Sequence, residues 1–203
     1  MRVAKFAPTE RFGSNMYILI SGSEAAVIDP SVEYFKLEKF IRSENISFKY
    51  VLLTHAHFDH ILEINEWVSE TDAEVVIGVD DAPMLSDSYL NCYSLFSGRD
   101  EGYFGSYKAV NDGDILQLGN EIIKVIHTPG HTPGSVTYSV GDALFVGDTL
   151  FFGGSYGRCD LPGGDEAKIF SSITHLLSQN ENKTVYSGHG PDTTVKELKS
   201  NFI

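Results

Sequence analysis

Four side chains that commonly bind metals stand within six residues of one another. The segment THAHFDH contains His55, His57, Asp59 and His60, which supply three imidazoles and one carboxylate. In a buried core segment each of these polar side chains would need its own hydrogen-bond partner, so their density argues against a core role. Imidazole nitrogens and carboxylate oxygens suit zinc, iron or manganese, and ligands on an irregular loop can reach two neighbouring centres. The segment therefore predicts a metal site rather than a chance cluster of histidines.

Three further candidate ligands lie later in the chain at the ends of strand-like segments. His131 follows a proline and a glycine in HTPGHTPGS, Asp148 follows the run ALFVG, and His189 stands between two glycines. A carboxylate in this setting is costly unless it neutralises cations, and the glycines allow close approach of the backbone to a site. Because strand ends often carry the chemistry of sheets, we expect these side chains to complete a site for two metals. His127, in a strand, and His175, in an amphipathic helix, are not expected to bind metal.

The pattern of apolar residues predicts the elements that must position these side chains. The expected helices are one capped by Ser31 with apolar positions from Phe35 to Ile41, one from Ile61 to Glu70 and one from Glu166 to Ser178. The expected strands are Arg2 to Phe6, Met16 to Ser21, Ala25 to Ile28, Phe48 to Leu53, Ile115 to Leu118, Glu121 to His127, Ser135 to Val140, Ala143 to Val146 and Thr184 to Tyr186.

The order of these elements indicates the fold class. Strands, helices, strands and helices follow one another, which favours two packed sheets with helices outside, and residues 1–203 are expected to form one domain. The segment from Ser86 to Tyr107 is the least regular and is rich in Tyr, Phe, Ser and Gly. It is either a substrate-facing loop or surface helix and loop.

Charge and cysteine content limit the classes of partner. The net charge of −13 repels phosphate backbones and anionic lipid, so we expect neither nucleic acid nor membrane as a partner. Bound cations would make a local site less negative, so a small anionic substrate stays compatible. Two cysteines outside any CxxC pattern indicate free thiols, and the sequence shows no export signal or membrane-spanning run. We therefore expect a cytoplasmic location.

The motifs together resemble those of the metallo-β-lactamase superfamily. HAHFDH, the later HTPGH, the GDT that contains Asp148 and the terminal GHG are similar to its signature, and SYGRCDLPGGD with GHGPDTT is similar to its short glyoxalase II-like hydrolases. The resemblance implies an α+β fold, a four-layer αββα sandwich with metals between the sheet edges. It also implies two divalent cations, for which we expect zinc, with iron or manganese as alternatives.

The family pattern assigns a role to each motif residue. One metal would be held by His55, His57 and His131, the other by Asp59, His60 and His189, and Asp148 would bridge them. The resemblance implies that a metal-bridging hydroxide is the nucleophile and that Asp59, besides binding metal, orients the water or passes a proton to the leaving group. Asp59 and Asp148 are thus the predicted catalytic residues.

The same resemblance predicts the reaction, hydrolysis of a small-molecule thioester such as S-lactoylglutathione. A thiolate is a weak base, so a thioester needs a strong general acid less than an amide does. Arg158 is predicted to bind a substrate carboxylate, against the alternative of a solvated loop arginine. Ile61, Leu62 and Glu63 replace the Ile-Gly-Gly of many relatives, so packing after the motif should differ. Full-length glyoxalase II binds glutathione through a helical domain that these motifs do not include, so we keep another thiol carrier as an alternative.

Other reactions remain as alternatives. A mononuclear iron persulfide dioxygenase of this fold would use fewer ligands, here His55, His131 and Asp148. A lactonase or β-lactamase would act on a cyclic ester or amide at the same centre. A protein that keeps the fold without turnover is the non-enzymatic alternative.

Overall fold

Two alternating sets of apolar side chains on one strand explain why the chain forms layers. In the computed structural model, which describes residues 1–8 and 12–201, Met16, Ile18 and Ile20 pack toward helices, whereas Tyr17 and Leu19 face a second sheet. Successive side chains of a strand point to opposite faces of its sheet. A strand that is apolar on both faces therefore lies between a helix layer and another sheet.

Within the described residues, the first sheet contains six strands that lie side by side in chain order. They are β1 (Arg2–Phe6), β2 (Met16–Ser21), β3 (Glu24–Ile28), β4 (Ser47–Leu52), β5 (Glu74–Gly78) and β6 (Tyr107–Val110). Strands β1 to β3 form the antiparallel meander, and β3 to β6 are parallel. The carboxyl ends of β3, β4 and β5 therefore meet at one edge.

The second sheet also contains six strands in the part of the chain that the structure describes. They are β7 (Ile115–Leu118), β8 (Glu121–His127), β9 (Val136–Val140), β10 (Ala143–Gly147), β11 (Thr184–Ser187) and β12 (Thr193–Thr194). They too lie side by side in chain order, from β7 to β12. Strands β10 and β11 are parallel, while the other neighbours are antiparallel, so β10 and β11 also end at a common edge.

Helices cover the outer faces of both sheets. They are α1 (Tyr34–Glu44), α2 (Ile64–Thr71), α3 (Tyr93–Phe96), α4 (Glu166–Leu177) and α5 (Val195–Lys199). One apolar cluster joins α1 and α2 to the first sheet, a second lies between the sheets, and a third joins α4 and α5 to the second sheet. These clusters confirm the α+β class and the αββα layering. Within residues 1–8 and 12–201, every helix is too short or too polar to cross a membrane.

Helix α4 begins beside the loop that carries His131. Its start is capped by Asp165, whose side chain accepts a hydrogen bond from the backbone N–H of Lys168 at 3.0 Å. The Asp165 backbone N–H donates to the carbonyl of Gly130 at 2.8 Å. Gly130 has φ of 135°, and a Cβ there would collide with the backbone of Ile169. Only glycine therefore lets this loop lie against the helix.

Several predicted elements begin elsewhere or were not predicted. Ser31 does not cap α1, because its hydroxyl donates to the carbonyl of Ser14 at 2.6 Å and Glu33 is the N-cap residue. The second helix begins at Ile64 rather than Ile61, after a 3-10 turn at Phe58–His60. Strands β5, β6 and β12 and helix α5 were not predicted. The irregular segment contains α3, and its last residue, Tyr107, begins β6.

Candidate metal centre

All seven predicted ligands lie where strand ends of the two sheets meet. The THAHFDH segment follows β4 directly and continues into the 3-10 turn, and His131 lies in the loop between β8 and β9. Asp148 follows β10, and His189 follows β11 two residues after its end. The parallel pairs β3–β4 and β10–β11 thus bring residues about 130 positions apart to one edge, where His189 Nε2 lies 3.1 Å from Asp59 Oδ2.

Among residues 1–8 and 12–201, the candidate ligand atoms form three overlapping groups. Within each group every ligand atom lies within 4.8 Å of the others, the spacing that one cation requires of its ligands. The groups are His55, His57 and His131; Asp59, His60 and His189; and His55, His60 and Asp148. The first two are the two predicted ligand sets, and the third connects them.

The Asp148 carboxylate lies between the two ligand sets. Its Oδ1 is 3.3 Å from His60 Nε2, while its Oδ2 is 3.6 Å from His131 Nε2 and 3.5 Å from His189 Nε2. One carboxylate is thus close to imidazoles of both sets. This is the position that the predicted bridging role requires.

Several polar atoms of these side chains are buried without a hydrogen-bond partner. They include His55 Nε2, His60 Nε2 and Asp148 Oδ1. Leaving such groups unpaired costs about 1–3 kcal/mol each, which natural proteins rarely accept without a function. Cations held by these atoms would satisfy them. The donor set of five imidazoles and two carboxylates therefore fits two divalent metals.

Burial keeps one set of imidazoles neutral. Desolvation, followed by the neighbouring His131, lowers the pKa of His57 to about 3. Desolvation and the nearby His60 lower the pKa of His55 well below its ordinary value, and desolvation also lowers that of His131. His57 Nδ1 and His131 Nε2 lie only 2.9 Å apart. Neutral imidazoles whose nitrogens face one point are ready to donate lone pairs to a cation.

In the second set, His60 is surrounded by carboxylates, and its pKa shifts in the direction opposite to that of the first set's imidazoles. Burial alone lowers the pKa of His60, but the carboxylates of Asp29, Asp148 and Asp59 outweigh it and raise that pKa well above its ordinary value. Burial raises the pKa of Asp148, but His60 and the other imidazoles lower it strongly overall. The carboxylates thus stabilise positive charge at His60. A bound metal cation would provide that charge in place of the His60 proton.

Asp29 supports the site and was not predicted from the sequence. It is fully buried at the end of β3 and accepts hydrogen bonds from the Thr54 backbone N–H at 2.8 Å, the Thr54 hydroxyl at 2.7 Å and His60 Nδ1 at 2.8 Å. The bond to Nδ1 leaves Nε2 of His60 free to face the site. His131 is oriented similarly, because its Nδ1 donates to the carbonyl of Arg158 at 2.8 Å.

Asp81 joins the two loops that carry the first ligand set and was also missed. Its carboxylate is buried and accepts hydrogen bonds from the backbone N–H groups of Ala56 at 3.0 Å and Gly134 at 2.6 Å, and from the Thr132 hydroxyl at 2.8 Å. Ala56 lies between His55 and His57, while Thr132 follows His131. One carboxylate therefore fixes the distance between these loops.

Glycines permit close approach at two points. A Cβ on Gly188 would collide with Asp148 Oδ1 and the His60 ring, and a Cβ on Gly157 would collide with the Asp148 carbonyl and contact His131 Nδ1. The sequence predicted the first of these through the GHG motif. His127, at the end of β8, instead donates from Nε2 to the carbonyl of Pro133 at 2.9 Å, and His175 is exposed on α4, so neither joins the site.

A cavity of about 410 Å³ opens above the candidate ligands. His57, Asp59, His131, Asp148 and His189 line its floor, and Arg158 lies in its wall as predicted. The Arg158 guanidinium, however, makes two hydrogen bonds of 2.6 Å to the carboxylate of Asp160. These bonds raise the pKa of Arg158 and lower that of Asp160 to about 2. Binding of a substrate carboxylate by Arg158 stays a prediction.

Comparisons with known proteins agree with this geometry. The pattern of the Metallo-beta-lactamase superfamily matches residues 9–189, a range that contains all seven candidate ligands. The probable metallo-hydrolase YqgX of Bacillus subtilis (strain 168) is 36% identical over 191 residues, 93% of this chain and 90% of that protein. The hydroxyacylglutathione hydrolase GloC of Haemophilus influenzae is 32% identical over 200 residues, 96% of this chain and 94% of that protein.

Two solved structures are similar over nearly the whole chain. The BLEG-1 B3 metallo-beta-lactamase has a TM-score of 0.90 at 33% identity and covers 98% of this chain and 97% of its own. TTHA1623 in a di-iron-bound form has a TM-score of 0.83 at 31% identity and covers 97% of this chain and 98% of its own. A similar fold thus holds two metal ions in a related protein.

Proposed function

The chain belongs to the metallo-beta-lactamase superfamily, and from that premise we propose that it is a metal-dependent thioester hydrolase acting on an S-acyl thiol such as S-lactoylglutathione. The observation that supports this reaction is the identity of 32% with a hydroxyacylglutathione hydrolase over 96% of the chain. The proposed ligands are the seven side chains described above, with Asp148 between the two sets. We expect zinc in both positions and keep iron as the alternative.

The chain's own residues would prepare the reaction as follows. Bound cations would supply Lewis acidity, which lowers the pKa of a bound water and polarises the thioester carbonyl. The neutral imidazoles of His55, His57 and His131 would hold one cation, and the charged carboxylate of Asp148 would hold both together. Asp59 lines the cavity, and its Oδ2 lies 3.1 Å from His189 Nε2. Asp59 would orient the attacking water and pass its proton to the departing thiolate.

A direct experiment is hydrolysis of S-lactoylglutathione by the metal-replete protein, with and without oxygen. We expect release of glutathione at the same rate in both conditions. Asp59→Asn should lower kcat by more than about 100-fold, since proton transfer by a positioned side chain contributes about 10²–10⁴-fold. The matched control is His175→Ala, which removes an exposed histidine outside the site and should leave kcat unchanged. Equal loss in both variants, or a need for oxygen, would contradict the proposal.

Hydrolysis of a β-lactam is the second candidate. The observation that favours it is the TM-score of 0.90 with a B3 metallo-beta-lactamase at 33% identity. A β-lactam nitrogen is a more basic leaving group than a thiolate, so its release depends more on proton donation. Comparing kcat/KM for a chromogenic cephalosporin and for S-lactoylglutathione on one preparation ranks the two candidates. A larger kcat/KM for the cephalosporin would favour β-lactam hydrolysis over thioester hydrolysis as the function.

A further inference from the structure

The walls of the cavity above the candidate ligands are mainly apolar. Six of the side chains that form them are Phe12, Phe58, Phe96, Phe151, Tyr156 and Leu161. Binding sites are typically lined by apolar and aromatic groups with few polar ones, and those groups fit apolar parts of a ligand. The metal ligands and Arg158 provide the polar groups here.

Three phenylalanines form a continuous surface, here called the aromatic strip, defined as Phe12, Phe58 and Phe96. The rings of Phe58 and Phe96 stack with centroids 5.6 Å apart at an interplanar angle of 17°, and Phe12 lies 6.3 Å from Phe58. Phe96 is 43% exposed and Phe12 is 52% exposed. Large aromatic side chains that stay exposed next to a site commonly mark a surface that a ligand covers.

The aromatic strip connects two hollows. It borders the 410 Å³ cavity on one side and a hollow of about 570 Å³ on the other, which Leu62 and Tyr93 also line. The Tyr93 ring lies 5.5 Å from Phe58 and extends the apolar surface into the second hollow. A substrate bound at the ligands thus has an apolar path that leads away from them.

The arginines beside this path each lie close to a carboxylate. Among the described residues that line the first cavity, Arg158 is the one lysine or arginine, and two hydrogen bonds of 2.6 Å hold it to Asp160. Arg99 in the second hollow lies 3.6 Å from the carboxylate of Glu101. A thiol carrier with carboxylates or phosphates would gain little binding energy from these two guanidinium groups, because each already faces a carboxylate of the chain. Binding of an uncharged apolar group does not depend on a free positive charge.

We infer, on the basis of the proposed thioesterase function, that the preferred substrate is a thioester whose acyl group is an uncharged, apolar chain or ring that covers the aromatic strip. The acyl carbonyl would lie above the candidate ligands, and the acyl group would extend over Phe96 toward Tyr93. Each methylene placed on this surface loses contact with water. Its burial is worth up to about 0.8 kcal/mol, which is about a fourfold gain in kcat/KM.

The test is a series of thioesters of one uncharged thiol, N-acetylcysteamine, with acetyl, butanoyl, hexanoyl and phenylacetyl groups, compared with S-lactoylglutathione. We expect kcat/KM to rise about two- to fourfold per methylene from acetyl to hexanoyl. The hexanoyl and phenylacetyl thioesters should exceed S-lactoylglutathione. Phe96→Ala should lower kcat/KM for hexanoyl about tenfold and for acetyl less than about twofold, because a short acyl group does not reach the strip.

Controls separate this inference from the proposed function. Phe35→Ala removes another exposed phenylalanine, on α1, and should leave the whole series unchanged. Retained acetyl turnover in Phe96→Ala shows that the variant is folded. A flat or falling series, with S-lactoylglutathione as the best substrate, would overturn the inference while supporting the thioesterase. Failure of the metal-replete protein to cleave any thioester would overturn both.

Discussion

Replacing Asp81 with alanine should weaken the connection between the two loops of the first ligand set, and the loss should depend on pH. The substitution leaves the buried N–H groups of Ala56 and Gly134 without an acceptor, whereas the Thr132 hydroxyl keeps Ser135 Oγ at 2.6 Å. Each buried N–H without a partner costs about 1–3 kcal/mol. The variant also avoids the cost of burying a carboxylate. In the wild type this desolvation raises the pKa of Asp81 from 3.8 to about 6.

The sign of the pH dependence follows from this raised pKa. The folded chain binds the Asp81 proton more tightly than the unfolded chain does, so this stabilisation is fully present below pH 3.8 and is lost as the pH rises through about 6. Proton uptake with these pKa values makes the wild-type protein more stable at pH 5 than at pH 7.5, by about 1–2 kcal/mol through Asp81 alone. The destabilisation caused by Asp81→Ala should therefore be larger at pH 5 than at pH 7.5, by about 1–2 kcal/mol.

The assay is urea unfolding of the metal-free protein at pH 5 and pH 7.5, for wild type, Asp81→Ala and Asp80→Ala. The neighbouring Asp80 is exposed, so its removal should change the free energy of unfolding by less than about 0.5 kcal/mol. Metal affinity of Asp81→Ala should also fall, about 10- to 100-fold, as loss of a supporting residue behind metal ligands typically causes. An equal loss of stability at both pH values, or unchanged metal affinity, would refute this account of Asp81.

Three further substitutions test the centre. Asp148→Ala should lower the metal content and reduce turnover more than about 100-fold while circular dichroism shows an intact fold; a fully active variant would contradict the bridging role. Gly188→Ala should weaken metal binding about 10- to 100-fold in a chelator competition, because its Cβ collides with Asp148 Oδ1; unchanged affinity would show that the collision is relieved. Asp160→Ala should release Arg158 and lower KM for S-lactoylglutathione severalfold without changing KM for a neutral thioester; equal effects on both would rule out Arg158 as an anion clamp.

The sequence predicted those elements of the fold that are marked by the apolar pattern of their own segment. Met16 to Ser21 and Ala143 to Val146 are apolar runs bounded by turn residues, and the structure confirms buried strands at Met16–Ser21 and Ala143–Gly147. The ligand types were visible because the THAHFDH segment is too polar for its place after a buried strand. The structure then brings His131, Asp148 and His189 to that segment, as the strand-end argument required.

The residues that were missed depend on contacts between distant parts of the chain. Asp29 bonds Thr54, 25 positions away, and Asp81 bonds Gly134, 53 positions away, so neither role is readable in its own segment. Strand β6 was missed because three of its four residues are exposed and one is charged, which weakens the apolar signal of an edge strand. Ser31 stands where a helix cap is expected, but its hydroxyl donates to the backbone carbonyl of Ser14 instead.

Metal stoichiometry measured together with thioester turnover tests the two-metal hydrolase most directly. Purified protein is stripped with a chelator, titrated with zinc or with ferrous iron, and assayed at each addition without oxygen. Thioester cleavage should rise to a maximum as the metal content approaches about two per chain, as a two-metal centre requires. Full activity at one metal per chain, or one iron per chain with oxygen uptake in place of thioester cleavage, would contradict it.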